Sequence, residues 1–196
     1  MNRNHDVCGS EEWRAAVRND IIPWVLGDAD LGDDVLEVGP GFGATTDVFR
    51  ERVARLTAVE IDPKLAADLA IRLEGTNVTV IEGDATNLTF ADDGFTGATC
   101  FSMLHHVPSV ELQNRLFAEV ARVLRPGGIF VATDSLPSTD LKDFHEGDTY
   151  LPIDPVGLTE RLERSGFVDV DLRQNDYGWA VRARGAGTVG SVHGSS

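Results

Sequence analysis

One short segment constrains the fold of this chain more than any other: an apolar strand that runs into a glycine-rich loop and then into a helix. It reads Val35-Leu36-Glu37-Val38-Gly39-Pro40-Gly41-Phe42-Gly43-Ala44. Glycine lets the backbone turn tightly and lets a ligand approach the main chain without meeting a Cβ atom. The helix that follows points its first amides at the same place. The segment predicts a nucleotide-like cofactor, and it also satisfies the looser dinucleotide fingerprint.

The rest of the chain alternates short apolar runs with helical patterns, which predicts an α/β fold with a mostly parallel sheet covered on both faces. Strands are predicted at Val35–Val38, Arg55–Ile61, Val78–Ile81, Ala98–Phe101, Ile129–Thr133, Val168–Leu172 and Tyr177–Arg182. Helices are predicted at Ala44–Arg52, Pro63–Leu73, Val110–Leu124 and Asp154–Ser165.

The N-terminal region is predicted to form a separate helical cap. Ser10 is a plausible N-cap for an amphipathic helix that ends at Leu26, and Pro23 is expected to kink or end it. Trp13 and Trp24 lie on its apolar stripe, where they either pack into the core or help to cover a pocket. The predicted domain is residues 10–184 with residues 10–26 as the cap helix, between a flexible segment 1–9 and a disordered Gly/Ser-rich tail 185–196.

Composition narrows the function classes. The 196 residues include 17 Lys and Arg against 32 Asp and Glu, a formal net charge of −15, with no basic run. Because nucleic-acid binding needs basic clusters, the chain is predicted to have no nucleic-acid partner and no membrane partner. No segment resembles a signal peptide or a membrane span, which favours the cytoplasm. The two cysteines lack zinc-site spacing, and the pairing of His145 with Asp148 resembles a metal site but offers too few ligands on one loop, so no metal is predicted. The oligomeric state is left open.

Acidic residues near the ends of the second and third predicted strands favour an adenine cofactor. Glu60 can accept hydrogen bonds from both ribose hydroxyls, as in nicotinamide enzymes, or it can be a solvated carboxylate. Asp62 is expected to cap the next helix. Asp84 can accept a hydrogen bond from an adenine amino group, and the amide of Ala85 can donate to a ring nitrogen. Nicotinamide enzymes do not usually need this second pair.

Taken in order, these motifs resemble the class I S-adenosylmethionine-dependent methyltransferases. Residues 37–43 resemble their motif I, Glu60 their ribose-binding acid and Gly83-Asp84-Ala85 their adenine-binding segment. Residues 90–134, with Leu104-His105-His106-Val107, resemble the methyltransferase domain of ubiquinone-biosynthesis-type small-molecule enzymes. The resemblance implies S-adenosyl-L-methionine as cofactor and a Rossmann-like, doubly wound seven-stranded sheet with the last strand antiparallel. The cofactor-binding candidates are Glu37, Gly39, Gly41, Gly43, Glu60, Ile61, Asp84, Ala85 and Ser102.

The opening also resembles the rRNA adenine dimethylases, but only locally. Their N/D-P-P-Y/F catalytic motif should follow the fourth strand. This chain has Phe101-Ser102-Met103-Leu104-His105-His106 at that place. The acidic charge also disfavours an RNA acceptor.

Three histidines are candidates for acid–base chemistry. His105 and His106 follow the fourth strand at the edge where open α/β sheets bind ligands, and either could deprotonate a hydroxyl near neutral pH. They can equally be packed loop residues. His145 belongs to a polar loop with Asp148 and Tyr150 that could orient an acceptor or simply order a turn. Trp13, Asp148 and Tyr150 are the substrate-binding candidates.

The sequence therefore predicts methyl transfer from S-adenosylmethionine to a small-molecule O, N or C nucleophile. Methyl transfer from a sulfonium depends mainly on holding the reacting atoms in line, so it can proceed without an obligatory base. Two alternatives are a nicotinamide-dependent oxidoreductase and a non-catalytic S-adenosylmethionine-binding protein. Fold analogy does not identify the acceptor.

Overall fold

A seven-stranded sheet organises the chain in its computed structural model, which describes residues 3–187. The strands are β1 (Asp34–Val38), β2 (Arg55–Glu60), β3 (Val78–Glu82), β4 (Phe95–Phe101), β5 (Leu124–Ser135), β6 (Phe167–Gln174) and β7 (Gly178–Gly185). Their order is β3-β2-β1-β4-β5-β7-β6. The first five strands run parallel, and β7 is antiparallel to both β5 and β6. The predicted α/β, Rossmann-like, doubly wound fold is confirmed.

Seven α-helical segments flank the sheet in the described part of the chain. They are α1 (Glu11–Ala16), α2 (Ile22–Leu26), α3 (Thr46–Phe49), α4 (Pro63–Arg72), α5 (Val110–Val123), α6 (Thr139–Phe144) and α7 (Leu158–Arg164). The predicted helix 44–52 is shorter because turns flank α3 on both sides. The predicted helix 154–165 begins only at Leu158, because Asp154 accepts from the Val156 amide in a turn and Gly157 has a φ of 80°. The sequence reasoning did not predict α6.

The N-terminal helix is continuous but changes its hydrogen bonding in the middle. Ser10 accepts from the Trp13 amide, as an N-cap should. A π-helical stretch, Val17–Ile21, joins α1 to α2, and the Ile22 amide donates to the Val17 carbonyl. Proline has no amide hydrogen and its ring clashes with the carbonyl four residues earlier. The wider π turn just before Pro23 therefore lets the helix continue past the proline.

The chain ends differ from the sequence expectations where the structure describes them. Residues Arg3–Gly9 form a 3₁₀ helix rather than irregular chain, because His5 is buried and Asn4 Nδ2 donates to the Phe144 carbonyl at 2.7 Å. At the other end, Gly185 pairs with Phe167 and belongs to β7, so the predicted tail begins later than expected. Residues 188–196 of that tail lie outside the described residues.

The core consists of two apolar layers, one on each face of the sheet. Leu36, Phe130 and Trp179 belong to the layer beneath α5 and α7. Val35 and Phe49 belong to the layer beneath the N-terminal helix and α3. Successive β1 residues point to opposite faces, so Val35 and Leu36 contribute to different layers. Among the described residues, no helix has both the length and the apolar character to span a bilayer.

Candidate active site

A cavity of about 610 Å³ lies at the carboxyl edge of the parallel strands. Open α/β sheets bind ligands at this edge, where the strand order reverses, here between β1 and β4. The glycine loop, Glu60 and Asp84 line one part of the cavity. Trp13, His106 and Asp148 line another part of the same cavity. The predicted cofactor and acceptor regions are therefore joined in one space.

The glycines of the loop at residues 39–43 have different physical roles. All three have positive φ: 65° at Gly39, 53° at Gly41 and 78° at Gly43. A Cβ atom on Gly39 would come 2.8 Å from Met103 Cγ, and one on Gly43 would come 2.3 Å from Arg72 Nη2. A Cβ atom on Gly41 would meet no described atom within 4 Å, and Gly41 lines the cavity. Gly41 is thus where the backbone opens to a ligand, whereas Gly43 is a packing position outside the lining.

Glu60 links the second strand to the glycine loop. Its Oε2 accepts from the Gly41 amide and its Oε1 accepts from the Asp62 amide, both at 2.9 Å. The side chain is buried within the protein yet belongs to the cavity lining. Each carboxylate oxygen keeps a further acceptor site beyond these amides, so a pair of ligand hydroxyls can still be bound. Asp62 caps α4 instead, accepting from the amides of Lys64 and Leu65.

The remaining cofactor candidates also reach the cavity. Ile61, Asp84, Ala85 and Ser102 all line it. Asp84 Oδ1 accepts from the Thr86 amide at 2.8 Å, which fixes the carboxylate in place. Ser102 has a φ of 52°, a left-handed conformation that is uncommon for a residue with a side chain. Such strain is found disproportionately at ligand-binding positions.

Glu37 differs from the other candidates because it is buried away from the cavity lining. The Thr45 hydroxyl donates to its Oε1. Burial raises the pKa of Glu37 to about 7, and the hydrogen bond from Thr45 opposes that rise. The predicted direct contact of Glu37 with the cofactor does not fit this position. Its side chain instead connects β1 to the Thr45 side chain, directly before α3.

His105 and His106 occupy different environments although they are adjacent in sequence. The His105 amide donates to Asp134 Oδ2 at 3.0 Å, and its Nδ1 lies 2.7 Å from Asp134 Oδ1. His105 is buried and does not line the cavity, so the packed-loop interpretation fits it better than a catalytic role. His106 does line the cavity. Burial, together with the neighbouring histidines, lowers the pKa of His106 to about 4.

The predicted acceptor residues of the 145–150 loop are divided between the cavity wall and the layer behind it. Asp148 lines the cavity, as does Trp13 from the N-terminal helix. His145 is buried outside the lining, where its Nδ1 donates to the Leu141 carbonyl at 2.6 Å. Tyr150 stacks on the His145 ring with centroids 4.6 Å apart, and it too is outside the lining. His145 and Tyr150 therefore support the wall rather than forming it.

His5 is the site residue that sequence reasoning missed. It lines the cavity, is 4% exposed, and packs against the rings of His106, Phe144 and His145. The segment 1–9 has no apolar periodicity, so nothing local predicted its burial. The one available signal was a histidine a few residues before a predicted cap helix.

Comparison with known proteins agrees with this geometry. Residues 36–132 match the family described as Methyltransferase domain. A probable ribosomal RNA small subunit methyltransferase A of Methanothermobacter thermautotrophicus is 46% identical over 70 residues, covering 35% of this chain and 26% of the relative. Erythromycin 3''-O-methyltransferase of Saccharopolyspora erythraea is 28% identical over 165 residues, covering 72% of this chain and 53% of the relative. The chain spans only 22–36% of the length of the ribosomal RNA methyltransferases that it matches here.

Solved structures share the fold at low sequence identity. An S-adenosylmethionine-dependent methyltransferase from Mesorhizobium loti gives a TM-score of 0.69 at 19% identity, covering 83% of this chain and 96% of that chain. A complex of the Haloferax volcanii Trm112 methyltransferase activator with a methyltransferase gives 0.70 at 13% identity, covering 94% and 98%. The sheet order and the cavity at its switch point define a Rossmann-like, class I methyltransferase fold. Residues 36–132 of this chain belong to the methyltransferase domain family, and the fold around them is that of the class I S-adenosylmethionine-dependent methyltransferases, whose cofactor is S-adenosylmethionine.

The comparisons also correct one prediction from the sequence. The sequence predicted a small-molecule acceptor and no nucleic-acid partner. The exclusion of nucleic acid is wrong. Relatives named for ribosomal RNA match the chain at 38–46% identity over 62–104 residues. A structure with the same fold also contains a protein partner, Trm112. Net charge was a poor guide because it sums over the whole surface, whereas an acceptor meets only one part of it.

Proposed function

We propose that this chain transfers a methyl group from S-adenosylmethionine to a small-molecule acceptor through an O, N or C nucleophile. The observation that carries the proposal is the single cavity shared by the glycine loop, Glu60, Trp13 and His106. A methyl donor held at the loop would be open to an acceptor within the same space. Its volume of about 610 Å³ lies within the roughly 300–1,000 Å³ typical of small-ligand sites.

The residues around the loop fit the cofactor. S-adenosylmethionine supplies a methyl group on a positively charged sulfonium, which makes the carbon reactive toward nucleophiles. In the proposed arrangement, Glu60 accepts hydrogen bonds from the ribose hydroxyls and Asp84 accepts one from the adenine amino group. Gly41 leaves open the space that a side chain would otherwise occupy. Ile61 is 66% exposed at this wall and would be covered by the bound adenosyl group.

The acceptor side is better suited to positioning than to removing a proton. His106 is neutral at pH 7 because its pKa is lowered to about 4, so it can accept a hydrogen bond but is a weak base. Apolar residues Trp13, Phe101 and Leu112 line the same cavity and limit the access of water. Orientation of this kind can supply up to about 7–11 kcal/mol of the barrier reduction.

A ribosomal RNA acceptor is the second candidate, favoured by the names of several relatives that match the chain. Those matches cover 32–51% of this chain, whereas the erythromycin methyltransferase match covers 72%. Directly after β4 the chain has Ser102-Met103-Leu104-His105 rather than the N/D-P-P-Y/F motif. These two observations favour the small-molecule acceptor.

The test is a methyltransfer assay that follows release of S-adenosylhomocysteine. The purified chain is given S-adenosylmethionine and, in separate arms, a panel of small hydroxyl, amine and carbon acids, or small-subunit ribosomal RNA. We expect turnover with at least one small acceptor. Turnover confined to the RNA arm would establish the second candidate and overturn the first. A matched arm with Trp13→Ala, which alters the proposed acceptor wall, should lose turnover while keeping its affinity for S-adenosylhomocysteine.

A further inference from the structure

Three histidines from separate parts of the chain meet beside the cavity. They are His5 of the N-terminal 3₁₀ helix, His106 of the 3₁₀ turn after β4 and His145 at the end of α6. The ring centroids are 5.0 Å apart for His5–His106, 4.9 Å for His5–His145 and 5.1 Å for His106–His145. One nitrogen from each ring lies within 4.8 Å of the others. The rings form a nearly equilateral triangle.

The hydrogen bonding of His145 fixes which of its ring nitrogens carries the lone pair. A carbonyl oxygen can only accept, so Nδ1 must carry the proton that it donates to the Leu141 carbonyl. In the neutral ring, Nε2 is then the nitrogen with the lone pair. That atom is buried and has no hydrogen-bond partner among the described residues. A buried acceptor without a partner is costly to maintain, so a ligand that uses this lone pair would offset the cost.

The surroundings of the triangle resemble those of metal-binding imidazoles. Histidine ligands commonly direct their second nitrogen to a carbonyl or carboxylate, which sets the orientation of the ring. His145 does this with the Leu141 carbonyl, and His5 Nδ1 lies 3.8 Å from Asp148 Oδ2. Behind them, His105 packs on both His106 and His145, and the carboxylate of Asp134 holds His105 in place.

We propose that His5, His106 and His145 bind one divalent transition-metal ion with the preferences of Zn²⁺. Three imidazoles suit zinc better than magnesium or calcium, which prefer oxygen ligands. Tetrahedral zinc at about 2.0–2.1 Å from each nitrogen requires those nitrogens to be roughly 3.4 Å apart. The cluster therefore contracts on binding, which small rotations of three rings accomplish.

The ion has room for a fourth ligand on its open side. His5 and His106 line the cavity, so that coordination position faces the space assigned to the acceptor. Catalytic zinc sites with three protein ligands keep such a position for water or substrate. The ion would hold an acceptor oxygen or nitrogen there, a role that rests on the proposed function. Metal binding itself does not depend on it.

The experiment is a zinc titration of the full chain by calorimetry after removal of metals with a chelator. We expect one Zn²⁺ per chain, and we expect His145→Ala and His5→Ala each to weaken binding at least tenfold. The control is His193→Ala. His193 is the one histidine apart from His105 that does not belong to the cluster, so its removal should leave zinc binding as it is in the wild type. Cobalt titration gives a second readout, because tetrahedral Co²⁺ with nitrogen ligands absorbs visible light strongly.

Three outcomes would contradict the proposed metal site. These are the absence of stoichiometric zinc binding, a His145→Ala variant that binds as tightly as the wild type, and a His193→Ala variant that loses zinc equally. Thermal melting and S-adenosylhomocysteine titration show whether each variant is folded. If an alanine variant is not folded, His106→Asn provides a milder change within the same cluster. Loss of zinc with normal S-adenosylhomocysteine affinity concerns the metal site alone. Failure to bind S-adenosylhomocysteine would count against the proposed function instead.

Discussion

At the scale of single residues, Gly41 is the position where the backbone conformation and the ligand space coincide. Its φ of 53° strains any other residue, and its absent side chain leaves the cavity open. Gly75, between α4 and β3, has a φ of 76° and equally free surroundings, but it is remote from the cavity lining. Substituting each glycine in turn therefore distinguishes the effect of backbone strain, which both positions share, from the effect of a side chain in the cavity, which only Gly41 has.

We predict that Gly41→Ala weakens S-adenosylhomocysteine binding at least tenfold, about 1.4 kcal/mol. Gly75→Ala should leave the affinity unchanged, while both variants lose a similar roughly 1–2 kcal/mol of stability through the left-handed conformation. Calorimetric titration and thermal melting measure the two effects. Equal affinities for the two variants would show that the loop does not hold the cofactor.

Glu60 and Asp84 should contribute unequally to cofactor binding. Glu60→Ala removes a charged acceptor and also releases the amides of Gly41 and Asp62, so we predict a loss of about 1–3 kcal/mol. Asp84→Ala should cost about 1 kcal/mol, because water can replace its bond to a neutral amine. Titration with S-adenosylhomocysteine ranks them, and the reverse order would mean that the ribose acid is misassigned.

The residues that sequence reasoning placed well are those whose role is local. The loop glycines and Glu60 belong to one continuous unit of β1, loop, α3 and β2, and the spacing within that unit determines where they lie. Glu37 belongs to the same motif, yet its side chain points into the protein and bonds to Thr45. His5 becomes a site residue only through contacts with His106 and His145, which lie far along the chain. Neither outcome is encoded in local spacing.

At the scale of elements, the N-terminal helix is tied to the glycine loop by Arg14. Its Nη1 donates to Asp47 Oδ2 at 2.6 Å and its Nη2 donates to the Phe42 carbonyl at 3.2 Å. Arg18, one turn later, pairs with Glu51 at 3.0 Å, but both side chains are about half exposed. The Arg14 contacts position the N-terminal helix against the glycine loop, whereas the Arg18 pair lies on the surface.

We predict that Arg14→Met lowers the free energy of unfolding by about 1–2 kcal/mol, since it leaves a partly buried carbonyl and carboxylate with fewer partners. It should also weaken S-adenosylhomocysteine binding by loosening the loop. Arg18→Met should change neither measurably, as is usual for exposed pairs. Chemical denaturation and titration test this, and identical behaviour of the two variants would contradict the assigned role of Arg14.

Elements with a strong period were predictable and short irregular ones were not. The amphipathic pattern of α5 predicted Val110–Leu124, and the helix ends one residue earlier because Leu124 starts β5. The six-residue α6 is too short to show a period, although Ser138 caps it by accepting from the Leu141 amide. The π turn before Pro23 depends on hydrogen bonding that a pattern of apolar residues does not specify.

At the scale of the whole molecule, the excess of acidic residues makes stability depend on pH. The formal charge is −15 at pH 7, and deprotonation of carboxylates adds to self-repulsion as the pH rises. Most of the described carboxylates are exposed or half-buried. Glu37 is different, because burial raises its pKa from 4.5 to about 7 in the folded protein.

The sign of the Glu37 contribution follows from that shift. Below pH 4.5 the side chain is protonated in both states, and its contribution to stability is fully present. As the pH rises from 4.5 toward 7, only the unfolded chain loses the proton, so stability falls by up to about 3 kcal/mol. We predict that Glu37→Gln, which keeps the shape without the charge, removes this dependence. Denaturant unfolding of both proteins between pH 5 and pH 8 measures the difference, and the surface carboxylates cancel because both proteins share them. The variant should become progressively more stable than the wild type as the pH increases, whereas parallel pH profiles would mean that Glu37 is ionised in the folded protein throughout.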